Sequence, residues 1–278
     1  MLIVDAQVHI WGANTVDRPW PARHQAHREV ALGHTELLTL MDEAGVNAAI
    51  IIPPSWEGER NDLVLAAAKA HPKRFAIMGR IDPEASASRD LLATWRQKPG
   101  MLGLRFSLHR PGLAEAISNG AMDWLWEQAQ KHGVPLMLLL PHSKLQHISK
   151  IAARYPELRL VIDHMGIPSS VPSDQRFKDF SELLALAKHP NLAVKISALP
   201  CFASDKYPFA SLHPYLKKVF DSFGPTRMFW GSDFTRLPCS YRQSVTMLTE
   251  EISWLNEEDK SWIMGKGLCQ WLGWDLGN

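Results

Sequence analysis

Residues 2–10 read LIVDAQVHI, a short and nearly continuous apolar run that carries Asp5, Gln7 and His9 at alternate positions. In an unbroken β-strand alternate side chains share a face, so all three are expected on one side. The same design recurs at 48–53, 75–81, 103–107, 135–140, 158–163, 192–197 and 228–231. Each run is bounded by Gly, Pro or Asp, and each reads as a strand covered on both faces.

Amphipathic helical patterns separate these runs. Thr35 heads one with Leu37, Leu38, Met41 and Ala44 on a face, closed by Gly45. Asn61 heads 62–70, which Pro72 stops, and 122–132 ends at Gly133. Further patterns cover 144–155, 180–188, 212–222, 241–255 and 258–272. Eight strands interleaved with helices predict a parallel sheet. At 278 residues the expected architecture is one α/β domain, a single (β/α)8 TIM barrel over 1–278. An open, doubly wound sheet is the alternative. The long irregular segments 12–33 and 198–211 both follow strands, where a barrel places its active-site loops.

Composition excludes several classes. The chain is 46% hydrophobic and 21% charged, as a soluble globule is. Thirty basic residues against 29 acidic ones give +1 with no basic run, so nucleic acid and anionic membrane are not expected partners. The longest apolar stretch, 134–141, is too short to cross a bilayer. Cys201, Cys239 and Cys269 form no CxxC pair. With no signal-peptide pattern at the start, a reducing, cytoplasmic setting is expected.

The polar residues at the strand ends carry the functional argument. Arg80 and Asp82 end the third run, Arg105 lies on the fourth and Asp163–His164 closes the sixth. Lys195 and Ser197 close the seventh, and Ser232–Asp233 follows the eighth. Singly, each has a structural explanation: a satisfied core histidine, a helix-capping Asp233, a loop-bracing arginine. Together, ionisable groups at the same end of six strands are costly unless they are paired or line a mouth. Trp11, Trp20 and Trp56 fall in the expected mouth loops, although most tryptophans in a barrel pack helices on strands.

At these positions the chain resembles the amidohydrolase superfamily, specifically its branch of sugar lactonases and 2-pyrone-4,6-dicarboxylate lactonase. VDAQVHIW (4–11) is similar to the strand-one motif Asp-x-His-x-His, and VIDHMGIP (161–168) to Asp-His-x-Gly-x-Pro of strand six. VKISAL (194–199) resembles Lys-x-Ser-Gly-Leu, and FWGSDFTR (229–236) resembles Gly-Ser-Asp-[Trp/Phe], whose acid is Asp233 here. IMGKGLCQWLGW (263–274) resembles the closing Gly-x-Asn-Ala helix, with Gly267 in place of Asn. Two departures stand out. Gln7 replaces the first histidine, and strand five ends in LLLPHS with its histidine, His142, already in the loop.

The resemblance implies hydrolysis of a small carboxylated lactone or ester. Asp233 would serve as general base on water, and His9 and His164 would polarise the carbonyl. Arg80, Arg105 and Lys195 would offer a cationic rim to the substrate carboxylate, with Gln7 orienting water or substrate. No cofactor is required on this reading. A weakly or partly occupied Zn²⁺ held by His9, His164 and Asp233 is the variant, since an amide is a poorer divalent-metal ligand than imidazole. The fourth run lacks a lysine to bridge two metals. A non-oxidative decarboxylase or hydratase, and a catalytically inactive barrel subunit, are the competing readings; self-association into a homo-oligomer is left open.

Overall fold

The computed structural model describes residues 1–21, 26–28, 30–110 and 112–277, so residues 22–25 and 29 of the expected 12–33 loop lie outside the described residues. Eight strands run in sequence order in one sheet: β1 (Val4–Val8), β2 (Ala48–Ile51), β3 (Phe75–Gly79), β4 (Met101–Ser107), β5 (Leu136–Leu139), β6 (Leu160–Ile162), β7 (Leu192–Ser197) and β8 (Met228–Gly231). All seven consecutive pairs are parallel. The ring closes beyond the end of β8, where Asp233 N–H donates to the Gln7 carbonyl (2.9 Å) and His9 N–H to the Phe234 carbonyl (3.1 Å). An open sheet would leave two unpaired edges; this one is a barrel. Gly231 permits the closure, because a Cβ there would stand 3.2 Å from both Gln7 N and Ser197 Cβ.

Helices α1 (His34–Ala44), α2 (Asp62–Ala70), α3 (Ser88–Leu91), α4 (Leu113–Ala116), α5 (Asp123–Lys131), α6 (Leu145–Arg154), α7 (Phe180–Leu184), α8 (His213–Phe223), α9 (Tyr241–Thr249), α10 (Glu257–Ser261) and α11 (Gly267–Leu272) join the strands. Gly45 ends α1 in the left-handed conformation (φ 79°), as its position suggested. Two expected caps are absent. Gly33, not Thr35, precedes α1, and Asn61 spends its amide on the N–H and carbonyl of Arg80 (2.9 and 2.8 Å), tying the start of α2 to the end of β3. The expected 258–272 helix is interrupted by a wide turn at Trp262–Lys266. There Gly265 lies against β1, where a Cβ would be 2.9 Å from the Leu2 carbonyl.

The core has two parts. Inside the barrel, Val4, Ala6, Ile50, Met78, Met137, Val161, Ala193 and Phe229 form an apolar plug. A larger cluster that includes Val8, Leu104, Ile162, Ile196 and Trp230 fills the space between strands and helices. Each large apolar side chain buried this way contributes about 1.5–3 kcal/mol. The polar residues therefore sit on a solid floor.

The first strand corrects one expectation. Its pairing with β2 shifts register between Asp5 and Val8, so alternation is broken. Val4 and Ala6 point into the barrel plug, and Val8 points outward. Asp5 consequently leaves Gln7 and His9 and turns toward α9. Its carboxylate accepts from Tyr241 Oη (2.6 Å) and from the Ser232 and Gln7 backbone N–H groups (2.9 Å each). Burial, the largest influence, raises the Asp5 pKa despite these donors. Asp5 is a clasp between β1, β8 and α9.

Candidate active site

Above the apolar plug, at the carboxyl ends of the strands, lies a cavity of about 150 Å³. Gln7, His9, Arg105, His164 and Asp233 all line it. Three of the strands lead into unusual backbone, which presents His164 and Asp233. His164 (φ 51°), Met165 (φ 54°), Ala198 (φ 58°) and Asp233 (φ 60°) adopt left-handed conformations just past β6, β7 and β8. Such conformations cost a non-glycine residue about 1–3 kcal/mol and persist where the surroundings impose them. Ala198 occupies the glycine place of the strand-seven motif, and its positive φ explains why glycine suits that place.

The centre of the site is a convergence of four side chains. Gln7 Nε2 donates to Asp233 Oδ1 (2.7 Å) and stands 3.4 Å from His9 Nε2 and 3.3 Å from His164 Nε2. Asp233 Oδ1 also lies 3.0 Å from His9 Nε2. Partners fix the tautomers. His9 Nδ1 faces the Ile52 carbonyl at 2.7 Å and must carry a hydrogen, because a carbonyl only accepts. His164 Nδ1 meets Ser197 Oγ at 2.7 Å, while its Nε2 faces the amide donor. Burial, opposed by Asp233 and Asp163, pushes the His164 imidazole down to about 4, so it is neutral near pH 7.

Asp233 behaves oppositely. Burial pushes its carboxyl up, but His164, His9 and Arg236 together hold it well below the ordinary range. Arg236 Nη1 donates to Asp233 Oδ2 at 3.1 Å. The carboxylate is thus ionised, with Oδ1 held by the Gln7 amide and Oδ2 by an arginine at the cavity wall.

Beneath the floor runs a second polar layer. Lys195 Nζ donates to Gln7 Oε1 and lies 2.8 Å from Asp163 Oδ1, and Arg105 Nε donates to Asp163 Oδ2 (3.0 Å). Burial alone would raise the Asp163 pKa; Lys195 and Arg105 reverse that and lower it. Lys195 is fully buried, so it is not at a rim. Arg105 does reach the cavity wall. Arg80 stands outside the cavity lining, with Nη2 on Glu59 Oε1 (3.3 Å), while its Nε and Nη1 are buried without a partner among the described residues. His142 is away from the lining too: its Nε2 binds the Met165 carbonyl (2.8 Å) and braces the His164–Met165 turn.

Several lining residues went unread in the sequence. Arg236 follows Asp233 by three positions within FWGSDFTR, a visible signal. His109 and Arg110 come just after β4, where two polar residues past a strand end mark a mouth loop. His27 left no signal: it comes from the long β1 loop and packs edge-on to Trp56, ring centroids 5.0 Å apart. Trp56 itself lines the mouth, and Trp11 lies behind it at 5.3 Å.

The donor set does not suit a metal ion. Among the described residues no group of three His, Cys, Asp or Glu side chains is arranged to hold one. His9, His164 and Asp233 do face one point, but the Gln7 N–H₂ group faces the same point, and N–H hydrogens repel a cation. The amide cannot simply flip, because Lys195 only donates and needs Oε1, while Asp233 only accepts and needs Nε2.

Comparison with known proteins decides the family. The amidohydrolase family profile matches residues 4–266. The chain belongs to the amidohydrolase family. This amidohydrolase is 27% identical over 233 residues to an L-fucono-1,5-lactonase of Burkholderia ambifaria, covering 83% of this chain and 79% of that one. Among solved structures, an amidohydrolase of Burkholderia multivorans with bound zinc superposes with a TM-score of 0.82 at 21% identity, over 98% of this chain and 99% of the other. A Pseudomonas putida structure provisionally named a 2-pyrone-4,6-dicarboxylic acid hydrolase gives 0.81 at 17% identity, over 99% of each chain. The protein is a hydrolase of TIM-barrel architecture. No helix among the described residues is long and apolar enough to cross a membrane.

Proposed function

We propose that this amidohydrolase opens a small lactone bearing a carboxylate, with Asp233 as the base that activates water. The observation that carries the reading is the buried, ionised Asp233 at the floor of a cavity whose wall includes Arg105, Arg110 and Arg236. The likeness to a lactonase over most of the chain supports the substrate class.

In this reading water attacks the lactone carbonyl carbon and Asp233 takes its proton. The ring C–O bond then breaks, the leaving alkoxide recovers a proton, and the product is a hydroxy acid. His9 Nε2, 3.0 Å from Asp233 Oδ1, can relay that proton. In the resting site Asp233 is a weak base, because Arg236 stabilises its anion. A substrate carboxylate that engages Arg236 draws the guanidinium off Oδ2 and strengthens the base when the substrate is in place. Substrate binding and base activation are then one event.

Two outcomes follow. Arg236→Met is expected to raise KM for a carboxylated lactone at least ~10-fold, because a charge-assisted hydrogen bond is worth about 1.5–3 kcal/mol. KM for an uncharged lactone should change little, and an equal rise for both would place Arg236 outside carboxylate recognition. The reaction as drawn uses no bound ion, so prolonged dialysis against a strong chelator should leave kcat unchanged. Loss of activity restored by Zn²⁺ would overturn that part.

A further inference from the structure

We propose that the Gln7 carboxamide stands in for a cation at the centre of this site, with Lys195 and Asp163 fixing its direction. The proposal rests on the pocket being the active site only for its catalytic consequence; its binding consequence is independent of that reading.

Three acceptors, His9 Nε2, His164 Nε2 and Asp233 Oδ1, converge on a single nitrogen at 3.4, 3.3 and 2.7 Å. Two imidazoles and a carboxylate are donor types found around a mononuclear metal ion, but the central atom here belongs to the chain. An amide nitrogen offers two hydrogens, each with partial positive charge. One serves Oδ1 at short range, and the two imidazole lone pairs share the other at longer range.

What makes the substitute rigid lies below. Gln7 Oε1 accepts from Lys195, Lys195 is paired with Asp163, and Asp163 is held from its other oxygen by Arg105. Gln7, Lys195 and Asp163 are all buried, so no water competes for these bonds. Without Lys195 the amide would be free to turn its oxygen inward, and three acceptors would then face a fourth. Gln7 is therefore a positioning residue. It holds Asp233 and both imidazoles in an array that a cation would otherwise organise, and it does so without Lewis acidity. The chain departs from the family's two-histidine pattern at Gln7, and the replacement geometry is coherent around that one change.

The test is titration of the purified protein and its variants with Co²⁺ and Zn²⁺, read by the visible absorption of tetrahedral or five-coordinate Co²⁺ and by metal-dependent Tm. The unmodified protein is expected to show neither signal. Gln7→His supplies a fourth ligand to a preformed array and should bind Co²⁺ at least ~10²-fold more tightly, with Tm rising as metal is added. Gln7→Glu keeps the shape of the side chain, exchanges the inward N–H groups for an acceptor, and should gain the ion as well if the histidine variant folds poorly. Stoichiometric Co²⁺ binding by the unmodified protein would overturn the proposal. So would failure of both folded variants to gain metal, because the three acceptors would then not form a cation-shaped array. In turnover assays Gln7→Leu should lower kcat with little change in KM, as loss of positioning does. A protein that binds no metal but retains turnover in Asp233→Asn would leave this inference standing and remove the lactonase mechanism instead.

Discussion

Asp233→Asn is expected to lower kcat for lactone hydrolysis at least ~10²-fold while the protein stays folded, because general-base catalysis typically contributes 10²–10⁴. Asparagine is the informative replacement. Asp233 sits at φ 60°, a conformation that Asn tolerates better than most residues, so the backbone is not asked to move. The amide keeps the volume of the carboxylate and cannot take a proton from water near neutral pH. Circular dichroism and Tm check the fold, and steady-state kinetics read the chemistry. Near-normal kcat in a folded variant would show that Asp233 only ties β8 to β1. The pH profile gives an independent sign. The Asp233 pKa is held well below its ordinary value, so the base form persists above that depressed value and is lost only as pH falls through it. The kcat/KM of the unmodified enzyme, which reports the free site, should therefore not decline through the weakly acidic range on account of Asp233.

Lys195→Met is expected to destabilise the fold by about 3 kcal/mol, at the lower end of the cost of stripping one partner from a buried ion pair. The lower end applies because Arg105 still neutralises Asp163 from its second oxygen. In urea this corresponds to a midpoint roughly 1 M lower, if the slope is near 3 kcal/mol/M. Asp163→Asn in the same background should recover part of the loss by removing the stranded charge. The pH dependence follows from Asp163, whose pKa burial would raise but Lys195 and Arg105 lower below the unfolded value. Its contribution is fully present above the unfolded carboxylate value, about 3.9, and disappears as pH falls through the folded one. The difference between the unmodified and Lys195→Met proteins should accordingly shrink in acid. A gap that widens in acid, or no destabilisation at neutral pH, would contradict the pairing. Burial lowers the Lys195 pKa even beside Asp163, which marks the ammonium as costly to bury. That cost is offset functionally by the orientation of Gln7.

Much of this molecule was readable in one dimension. Parallel strands covered on both faces must be apolar throughout, so eight short runs announced eight strands, and 192–197 and 228–231 match β7 and β8 residue for residue. Polar residues are costly in and just past such runs unless they are paired or line a mouth, so His9, His164 and Asp233 stood out and do meet at one end of the barrel. Register and direction were not readable. The irregularity in β1 that sends Asp5 outward depends on pairing with β2 and on Tyr241, far along the chain. The burial of Lys195 beneath Gln7 depends on how β7 and β1 stack inside the ring, and a lysine at a strand end looks the same whether it points up or down. His27 and Arg236 reach the cavity from loops, where no period constrains direction. A linear sequence records which residues must be sheltered from water and how they alternate; which polar groups then face one another is set by tertiary contacts between strands distant in the chain.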